Sequence, residues 1–179
     1  MVSLDGYFEG VDHDLSWHNI DEEFNDNFII PQTKKVGTIL FGRRTYEMMA
    51  SFWPSEEAKR TDPVTSKIMT ETEKFVFSKT LKKVDWEHTT LVSGRAIDQI
   101  NRLKEQQGGD IAIFGSNNLM VSLVQSGLID EFRIIINPVV LGKGTLFFHG
   151  IKEKFGFKLL YTKQFKNGNV LLTYSSDNS

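Results

Sequence analysis

The chain of 179 residues contains no cysteine. Disulfides, thiolate nucleophiles, cysteine-ligated zinc and iron–sulfur clusters are therefore excluded together. A large excess of charge of one sign is also lacking, because the chain has 21 lysines and arginines and 23 aspartates and glutamates, for a net charge of −2. This balance argues against a surface devoted to nucleic acid or to an anionic membrane, but it leaves room for a local basic pocket that binds a phosphate.

Long apolar runs are missing too, since none approaches the ~20 residues that a membrane-spanning helix needs. Residues 1–5 lack the basic and apolar regions of a signal peptide. The sequence has no internal repeat and no low-complexity segment. At roughly 150 residues per domain, we expect a single domain over residues 1–179, located in the cytoplasm.

Several functional motifs are absent. The chain has no G-x-G-x-x-G, no H-E-x-x-H and no G-x-S-x-G, and the glycines of 141–144 lack the remainder of a Walker A loop. Four histidines fall at unrelated positions. His13 and His18 share a loop and could bind a metal, but a histidine in a surface loop more often has no ligand, so we predict no metal site.

Apolar periodicity predicts strands alternating with helices in the middle of the chain and consecutive strands at its end. Strands are predicted at 2–8, 38–41, 74–77, 89–92, 111–114, 131–137, 158–164 and 169–175. Helices are predicted at 21–34, 43–50, 63–72, 96–107 and 118–126. Residues 9–19 and 56–61 are interpreted as loops, Pro31 is expected to weaken or end its helix, and Asn167-Gly168 predicts a hairpin.

This order predicts an α/β fold with a largely parallel sheet covered by helices, and with antiparallel strands added by the C-terminal hairpin. In such sheets, ligands bind at the carboxyl ends of the strands. That rule selects four short loops, at 42–44, 78–79, 93–94 and 115–117. Their small residues would allow backbone N–H groups to approach a phosphate.

Arg43 and Arg44 begin a predicted helix directly after Gly42. Helix N-termini favour acids, so two adjacent arginines oppose the helix dipole, and a bound anion would relieve that conflict. The alternative is that both are solvated or that one pairs with a surface carboxylate.

Several segments together resemble a known family. They are S-L-D-G at 3–6, L-F-G-R-R-T-Y-E at 40–47, I-F-G-S at 113–116, G-L-I-D-E at 127–131 and P-V-V-L-G-K-G at 138–144. The chain resembles the dihydrofolate-reductase-like superfamily. More closely, it resembles stand-alone relatives of the reductase domain at the C-terminus of bacterial bifunctional riboflavin-biosynthesis deaminase-reductases. The resemblance implies a three-layer fold with a mostly parallel central sheet and antiparallel C-terminal edge strands.

The resemblance also implies an NADPH-dependent reductase that transfers hydride to a pteridine- or pyrimidine-type substrate. The deaminase half would need cysteine ligands for zinc, which this chain lacks. The implied cofactor-binding residues are Gly42, Arg43, Arg44, Thr45, Ser78, Lys79, Gly115, Ser116, Asn117, Asn118 and Leu119. Ser116 stands where the family commonly has the second glycine of a Gly-Gly pair.

Substrate-side residues follow from the same resemblance. Asp5 is the first candidate acid, because a carboxylate at the end of an apolar strand would have a raised pKa and could deliver a proton. Glu22, near Trp17, is the second, although acids in a first helical turn also simply favour the dipole. Trp17 and Trp53 are candidate substrate contacts. Asp5 alternatively caps the turn at Gly6, and Trp53 is equally a core residue.

Two other functions remain open at this point. One is a protein that binds NADP(H) without turnover, and the other is a homodimeric scaffold whose pocket is vestigial. We expect a homodimer in any case, because apolar C-terminal strands end the sheet and an uncovered edge invites pairing with a second copy. Members of the family also commonly dimerise through this end.

Overall fold

The computed structural model describes residues 1–177, and the chain divides into two compact units. Unit 1 comprises Met1–Asn25 and the chain from Leu123 onward, and unit 2 comprises Asp26–Ser122. The expected single domain stays a prediction, and each unit is described by itself.

Nine strands are present in the described residues. They are β1 (Tyr7–Glu9), β2 (Val36–Gly42), β3 (Glu73–Phe77), β4 (Thr89–Val92), β5 (Asp110–Ile113), β6 (Glu131–Ile136), β7 (Thr145–Leu146), β8 (Gly156–Gln164) and β9 (Val170–Asp177). The α-helices are α1 (Glu22–Phe24), α2 (Ile30–Thr33), α3 (Arg43–Phe52), α4 (Glu56–Thr61), α5 (Pro63–Glu71), α6 (Ala96–Lys104) and α7 (Asn117–Gln125).

Unit 2 is built on a parallel sheet in the order β4-β3-β2-β5. Ile39, Leu40 and Phe41 of β2 are at most 1% exposed, as expected for a strand covered on both faces. Ile39, Phe41 and Val76 join Tyr46 in the main core cluster, to which Met69 and Trp86 also belong. The apolar run 38–41 therefore becomes the centre of this unit.

The strand order of unit 2 reverses at β2. From β2 the chain proceeds outward to β3 and β4, and it then returns to the other side of β2 as β5. The helices α3 and α7 begin directly after β2 and β5. In open parallel sheets, such a switch point forms the crevice in which ligands bind.

A buried lysine fastens α5 to the sheet of unit 2. The Nζ of Lys74, on β3, donates to the carbonyl oxygens of Met69, Thr70 and Thr72 at 2.9, 2.9 and 2.6 Å. Burial lowers the pKa of Lys74 to about 8. Its ammonium satisfies carbonyls at the C-terminal end of α5, which lack partners within the helix.

Unit 1 contains antiparallel strands. One sheet has the order β6-β9-β8, and β1 pairs with β7 in a second, two-stranded sheet. The β8–β9 hairpin turns at Asn167-Gly168 as predicted, and Gly168 has a φ of +88°, which glycine adopts without strain. The predicted fold class, α/β with a parallel sheet and antiparallel C-terminal strands, is confirmed.

The first predicted strand, 2–8, is wrong for most of its length. Val2 forms an isolated bridge to Ile136, and only Tyr7–Glu9 is a strand. Between them the chain turns, with Gly6 at a φ of +83°. The hydroxyl of Ser3 accepts from the Tyr7 N–H at 3.0 Å, which closes the turn locally. Asp5 therefore lies in a turn and does not end a strand.

The segment 56–61 is a helix, so its interpretation as a loop is wrong. Ser55 caps α4 by accepting from the Ala58 N–H at 3.1 Å, and Ala58 is fully buried. A serine cap and one small buried residue suffice here, although they leave almost no apolar periodicity to read. The predicted helix 21–34 does form, but a π turn at Asn25–Ile29 separates α1 from α2 and precedes Pro31.

Candidate functional site

The four loops selected from the sequence follow the carboxyl ends of β2, β3, β4 and β5. Because all four strands are parallel, these loops lie at one edge of the sheet of unit 2, as predicted. We call this edge the phosphate edge and define it by residues 42–45, 78–79, 93–94 and 115–119. The strands β2 and β5 are neighbours, so Gly42 and Gly115 follow adjacent strands at the switch point.

Three residues of the phosphate edge form a chain of hydrogen bonds. The Gly42 N–H donates to the Ser116 Oγ at 2.6 Å. The Ser116 hydroxyl in turn donates to the Thr45 Oγ1 at 2.9 Å. These two bonds join the loop after β5 to the first turn of α3.

The two glycines of this junction are constrained differently, Gly42 by limited room for a side chain and Gly115 by its positive φ. A Cβ on Gly42 would lie 3.2 Å from the Ser116 Oγ, and one on Gly115 would lie 3.4 Å from the Thr45 Cγ2. Gly115 and Ser116 have φ values of +74° and +64°. Serine rarely adopts this left-handed conformation, so the surrounding structure holds Ser116 in a sparsely populated state.

The N-terminus of α3 carries positive charge with no side-chain cap. Gly42 is its cap residue, and its first turn contains no acid. Arg43 is exposed and pairs with Glu47 at 3.5 Å, which is the alternative considered for one arginine. Arg44 is exposed and makes no ion pair within residues 1–177. The free helix donors and Arg44 together provide an electrostatic environment that suits an anion.

A groove of about 510 Å³ adjoins this helix start. It is lined by Arg43, Tyr46, Glu47, Thr80, Leu81, Lys82, Lys83 and Asp85. The Tyr46 hydroxyl accepts from the Asp85 N–H at 3.1 Å and thereby holds the far wall against α3. Lys83 pairs with Asp85 at 3.0 Å, so much of the charge in the groove is already balanced.

The remaining predicted residues of the phosphate edge differ in their hydrogen bonds and in their exposure to solvent. The Ser78 Oγ accepts from the N–H groups of Thr80 and Leu81 at 3.2 and 2.9 Å, so it closes a local turn. Lys79 and Asn118 are exposed, whereas Asn117 is half-buried and Leu119 is buried. Leu119 therefore contributes a helix-packing side chain, and its backbone is the part that lies at the edge.

Asp5, in unit 1, is held by hydrogen bonds that stabilise its ionised form. Its carboxylate accepts from the Ser3 hydroxyl at 2.6 Å and from the N–H groups of Leu141 and Gly142 at 3.1 and 2.7 Å. Chiefly through the Ser3 bond, these contacts lower the pKa of Asp5 to about 2. The expected raised pKa is wrong, because donors surround this carboxylate.

The other acid and the loop tryptophan also lie in unit 1. Glu22 is exposed in the first turn of α1, which Asp21 caps by accepting from the Phe24 N–H at 2.8 Å. Trp17 is half-buried and donates from its Nε1 to the Asp14 carbonyl at 3.0 Å. Within residues 1–177, no hydrogen bond or ion pair joins Glu22 to Trp17 or to Asp5. Their catalytic and substrate-binding roles stay predictions.

Trp53 lies in unit 2, at the end of α3 opposite the phosphate edge. The ten residues of α3 place it ~15 Å along the helix from Gly42. It packs against the main core cluster, and its Nε1 donates to the Met49 sulfur at 3.1 Å. This packing matches the core alternative, and its role as a substrate contact stays a prediction.

An asparagine network in unit 1 was not predicted. The Asn19 N–H donates to the Asn137 Oδ1 at 2.8 Å, and the Nδ2 groups of Asn167 and Asn169 donate to the Asn19 carbonyl at 3.0 and 2.7 Å. Asn137 and Asn169 are fully buried. The network fastens the loop after Trp17 to the β8–β9 hairpin. Only the Asn-Gly pair at 167–168 was visible in the sequence, where it predicts a turn.

The described residues also bear on two other classes of site. Within residues 1–177, no three histidine or acidic side chains are grouped so that they could hold a metal ion. None of the helices described there is long and apolar enough to cross a membrane.

The phosphate edge passes a simple test of fit for a nucleotide phosphate. Backbone N–H groups bind phosphate at an uncapped helix start, and nearby glycines let the backbone approach it. A guanidinium ion binds phosphate as well, and Arg44 has no ion pair in the described chain. The family model of the RibD C-terminal domain matches residues 1–171. The chain belongs to the RibD C-terminal domain family.

Relatives and solved structures are consistent with this family. The uncharacterized protein YyaP of Bacillus subtilis is 31% identical over 97% of this chain and 90% of its own length. A candidate riboflavin biosynthesis protein from Shewanella sp. PV-4 aligns with a TM-score of 0.75 at 24% identity, over 99% and 96% of the two chains.

A third similarity is to a dihydrofolate reductase from Enterococcus faecalis complexed with NADP(H), with a TM-score of 0.64 at 14% identity, over 99% and 93% of the two chains. At identities of 24% and 14%, the Shewanella and Enterococcus structures show the fold alone, which is that of dihydrofolate reductase.

Proposed function

We propose that this protein is an NADPH-dependent reductase that transfers hydride to a pteridine- or pyrimidine-type heterocycle. The observation that carries the proposal is the phosphate edge at the switch point of the parallel sheet. The uncapped start of α3, Arg44 and the nearby glycines support it, because backbone N–H groups and guanidinium ions bind phosphate. Membership of the RibD C-terminal domain family supports it as well. One substrate to test is 5-amino-6-(5-phosphoribosylamino)uracil, which is named for a Thermotoga maritima bifunctional enzyme with a TM-score of 0.69 at 14% identity. This chain aligns with 54% of that enzyme.

The proposed cofactor contacts are of two kinds, charged side chains and uncharged groups. Arg44, with Arg43 once it leaves Glu47, would bind the 2′-phosphate that distinguishes NADPH from NADH. Thr45 would donate to an adjoining phosphate, and Gly42 and Gly115 would allow the backbone to approach it closely. Ser78 and Lys79 would line the adenosine end, and 116–119 the pyrophosphate and nicotinamide. When bound, the reduced nicotinamide supplies the hydride.

Proton delivery is the second requirement of such a reduction. With a pKa of about 2, Asp5 is ionised at neutral pH and is a poor proton donor. We propose that Asp5 instead holds the 141–142 backbone and presents its negative charge to the substrate, and that Glu22 is the acid to test first. The order expected from the sequence, with Asp5 as the first candidate acid and Glu22 as the second, stays a prediction.

The alternative is an NADP(H)-binding dimeric protein without turnover. Exposure of Glu22 and ionisation of Asp5 favour it, because a positioned proton donor is shielded from water and still carries its proton at neutral pH. The test has two parts, both with the full chain. Calorimetry measures NADPH and NADH binding, and loss of reduced-nicotinamide absorbance measures turnover on a panel of pteridines and pyrimidines.

The two results separate the hypotheses. Tight NADPH binding with turnover supports the reductase, and tight binding without turnover on the whole panel supports the alternative. Absence of NADPH binding contradicts both. With an accepted substrate, Glu22→Gln should lower kcat by about 10²-fold if Glu22 is the acid, since a placed proton donor contributes ~10²–10⁴ in rate. Glu23→Gln is the matched control.

We also propose a homodimer that covers the edge strand β8. Leu159, Leu160 and Tyr161 are consecutive on this strand and are each more than 50% exposed. A long apolar edge of this kind is a surface on which a second copy of the chain can pair. Light scattering at micromolar concentration should give twice the mass of one chain, and Leu160→Lys should reduce it. A monomeric wild-type protein contradicts the proposal.

A further inference from the structure

Ser116 occupies an unusual position for a side chain that carries a hydroxyl. Its backbone is in the left-handed region, where glycine would be unstrained. Its hydroxyl nevertheless makes two well-formed hydrogen bonds, at 2.6 Å from the Gly42 N–H and 2.9 Å to the Thr45 Oγ1. The backbone is strained, yet the hydroxyl both accepts and donates a hydrogen bond. This combination indicates that the hydroxyl has a specific role.

The direction of these bonds determines what Thr45 can do. A backbone N–H can only donate, so the Ser116 oxygen accepts from Gly42. In its second bond the Ser116 hydroxyl is the donor, and its proton goes to the Thr45 Oγ1. The Thr45 oxygen is thereby used as an acceptor. Its own proton has no acceptor among residues 1–177 and is left to donate elsewhere.

We infer that Ser116 is a positioning residue that makes Thr45 a hydrogen-bond donor to a ligand phosphate. This inference rests on the proposed nucleotide function of the phosphate edge. The chain of donors runs from the Gly42 N–H through the Ser116 hydroxyl to the Thr45 hydroxyl. Each bond polarises the next, so the terminal O–H becomes a better donor to an anion than an isolated threonine. Ser116 acts through Thr45 and needs no contact with the ligand.

A competing arrangement makes the opposite prediction. If a phosphate oxygen accepted from the Gly42 N–H directly, the Ser116 hydroxyl would compete with it, and removing that hydroxyl would strengthen binding. In the donor chain, removing it weakens binding. The sign of the change therefore distinguishes a positioning residue from a competitor.

The test is a double-mutant cycle in the full-length protein, with inorganic pyrophosphate and NADPH as probes in calorimetry. Ser116→Ala should weaken both by about 2- to 10-fold, the range of a single hydrogen bond. In the Thr45→Val background, Ser116→Ala should have no further effect. Thr45→Ser restores a hydroxyl and should restore the sensitivity to Ser116→Ala.

Two controls keep the cycle interpretable. Ser116→Gly removes the same hydroxyl while relieving the backbone strain, so it should fold and show the same loss as Ser116→Ala. Ser51→Ala removes an exposed hydroxyl at the other end of α3 and should leave both affinities unchanged. Thermal unfolding of each variant confirms that it is folded.

Three results overturn the inference. They are tighter binding in Ser116→Ala or Ser116→Gly, an equal loss with and without the Thr45 hydroxyl, and no binding of pyrophosphate by the wild-type protein. Pyrophosphate binding that follows the cycle while NADPH does not bind overturns the proposed nicotinamide function and leaves the donor chain supported.

Discussion

The phosphate edge of unit 2 and the asparagine network of unit 1 are both polar, yet they use their polar groups differently. In the network, Asn19, Asn137, Asn167 and Asn169 bond to one another and to the backbone between them. At the phosphate edge, the bonds of Gly42 and Ser116 end in a Thr45 proton without an acceptor, and Arg44 has no ion pair in the described chain.

The difference is the one expected between a structural cluster and the proposed binding site. A buried polar group is stabilised by a partner inside the protein, because an unpaired one costs about 1–3 kcal/mol. In the network the Asn169 Oδ1 is an exception, without a partner in the described chain. An exposed donor at a helix start has water as a partner and carries no such cost, so it stays available for a ligand. Asp5 is not fully buried, but it resembles the network in one respect, since backbone and hydroxyl donors already bond to its carboxylate.

Removing the charge of the phosphate edge should have the largest effect. Arg43→Ala with Arg44→Ala should weaken NADPH binding by about 10- to 100-fold for each arginine, because charge-assisted bonds contribute ~1.5–3 kcal/mol each. NADH lacks the 2′-phosphate and should lose little affinity. Calorimetry with both cofactors measures the selectivity, and Arg60→Ala is the control. An equal loss for the two cofactors contradicts the assignment.

Breaking the asparagine network should affect stability and leave nucleotide affinity unchanged. Asn169→Ala removes the donor to the Asn19 carbonyl from a fully buried position, so we expect a loss of about 1–3 kcal/mol in the free energy of unfolding. Denaturant unfolding measures the change. The exposed Asn101→Ala should stay within about 0.5 kcal/mol of the wild type. A selective loss of NADPH affinity in Asn169→Ala would remove the distinction between the two regions.

A further effect concerns acid stability in unit 1. Burial lowers the pKa of His18 from 6.5 to about 4, with Asp14 partly opposing the shift. Between these two values the unfolded chain binds a proton that the folded chain does not. The free energy of unfolding should therefore fall as the pH is lowered from about 6.5 to about 4.

His18→Gln should flatten this dependence, as measured by urea unfolding across that pH range. His88 is exposed, with a φ of +55° that asparagine tolerates, so His88→Asn is the matched control and should keep the wild-type slope. If His18→Gln kept the wild-type slope, His18 would have the same pKa in the folded and the unfolded chain, which contradicts the prediction.

Much of unit 2 could be predicted from the sequence, because its signals are local. The apolar run 38–41 followed by Gly42 and two arginines indicates a buried strand, a tight turn and a helix start within a few residues. The parallel order of the strands then follows from their alternation with helices. Together, the local signals and the parallel strand order predict that 42–44 and 115–117 lie at one edge of the sheet.

What the sequence did not predict depends on partners far along the chain. The turn at Asp5 is held by N–H groups more than 130 residues away, so its ionised state could not be read from its apolar neighbours. The asparagine network likewise joins positions 19, 137, 167 and 169. The helix at 56–61 was missed for a different reason, since it buries only Ala58 and carries little periodicity.

The most direct test is a titration of isotope-labelled full-length protein with adenosine 2′,5′-bisphosphate, followed by amide NMR. This ligand carries the 2′-phosphate and no nicotinamide, so it probes the phosphate edge alone. The amide signals of Gly42, Arg44, Thr45 and Ser116 should shift together and saturate at one dissociation constant, while those of Asn137 and Asn169 stay in place. No saturable shift at Gly42 and Thr45, or shifts confined to the asparagine network, would contradict the account.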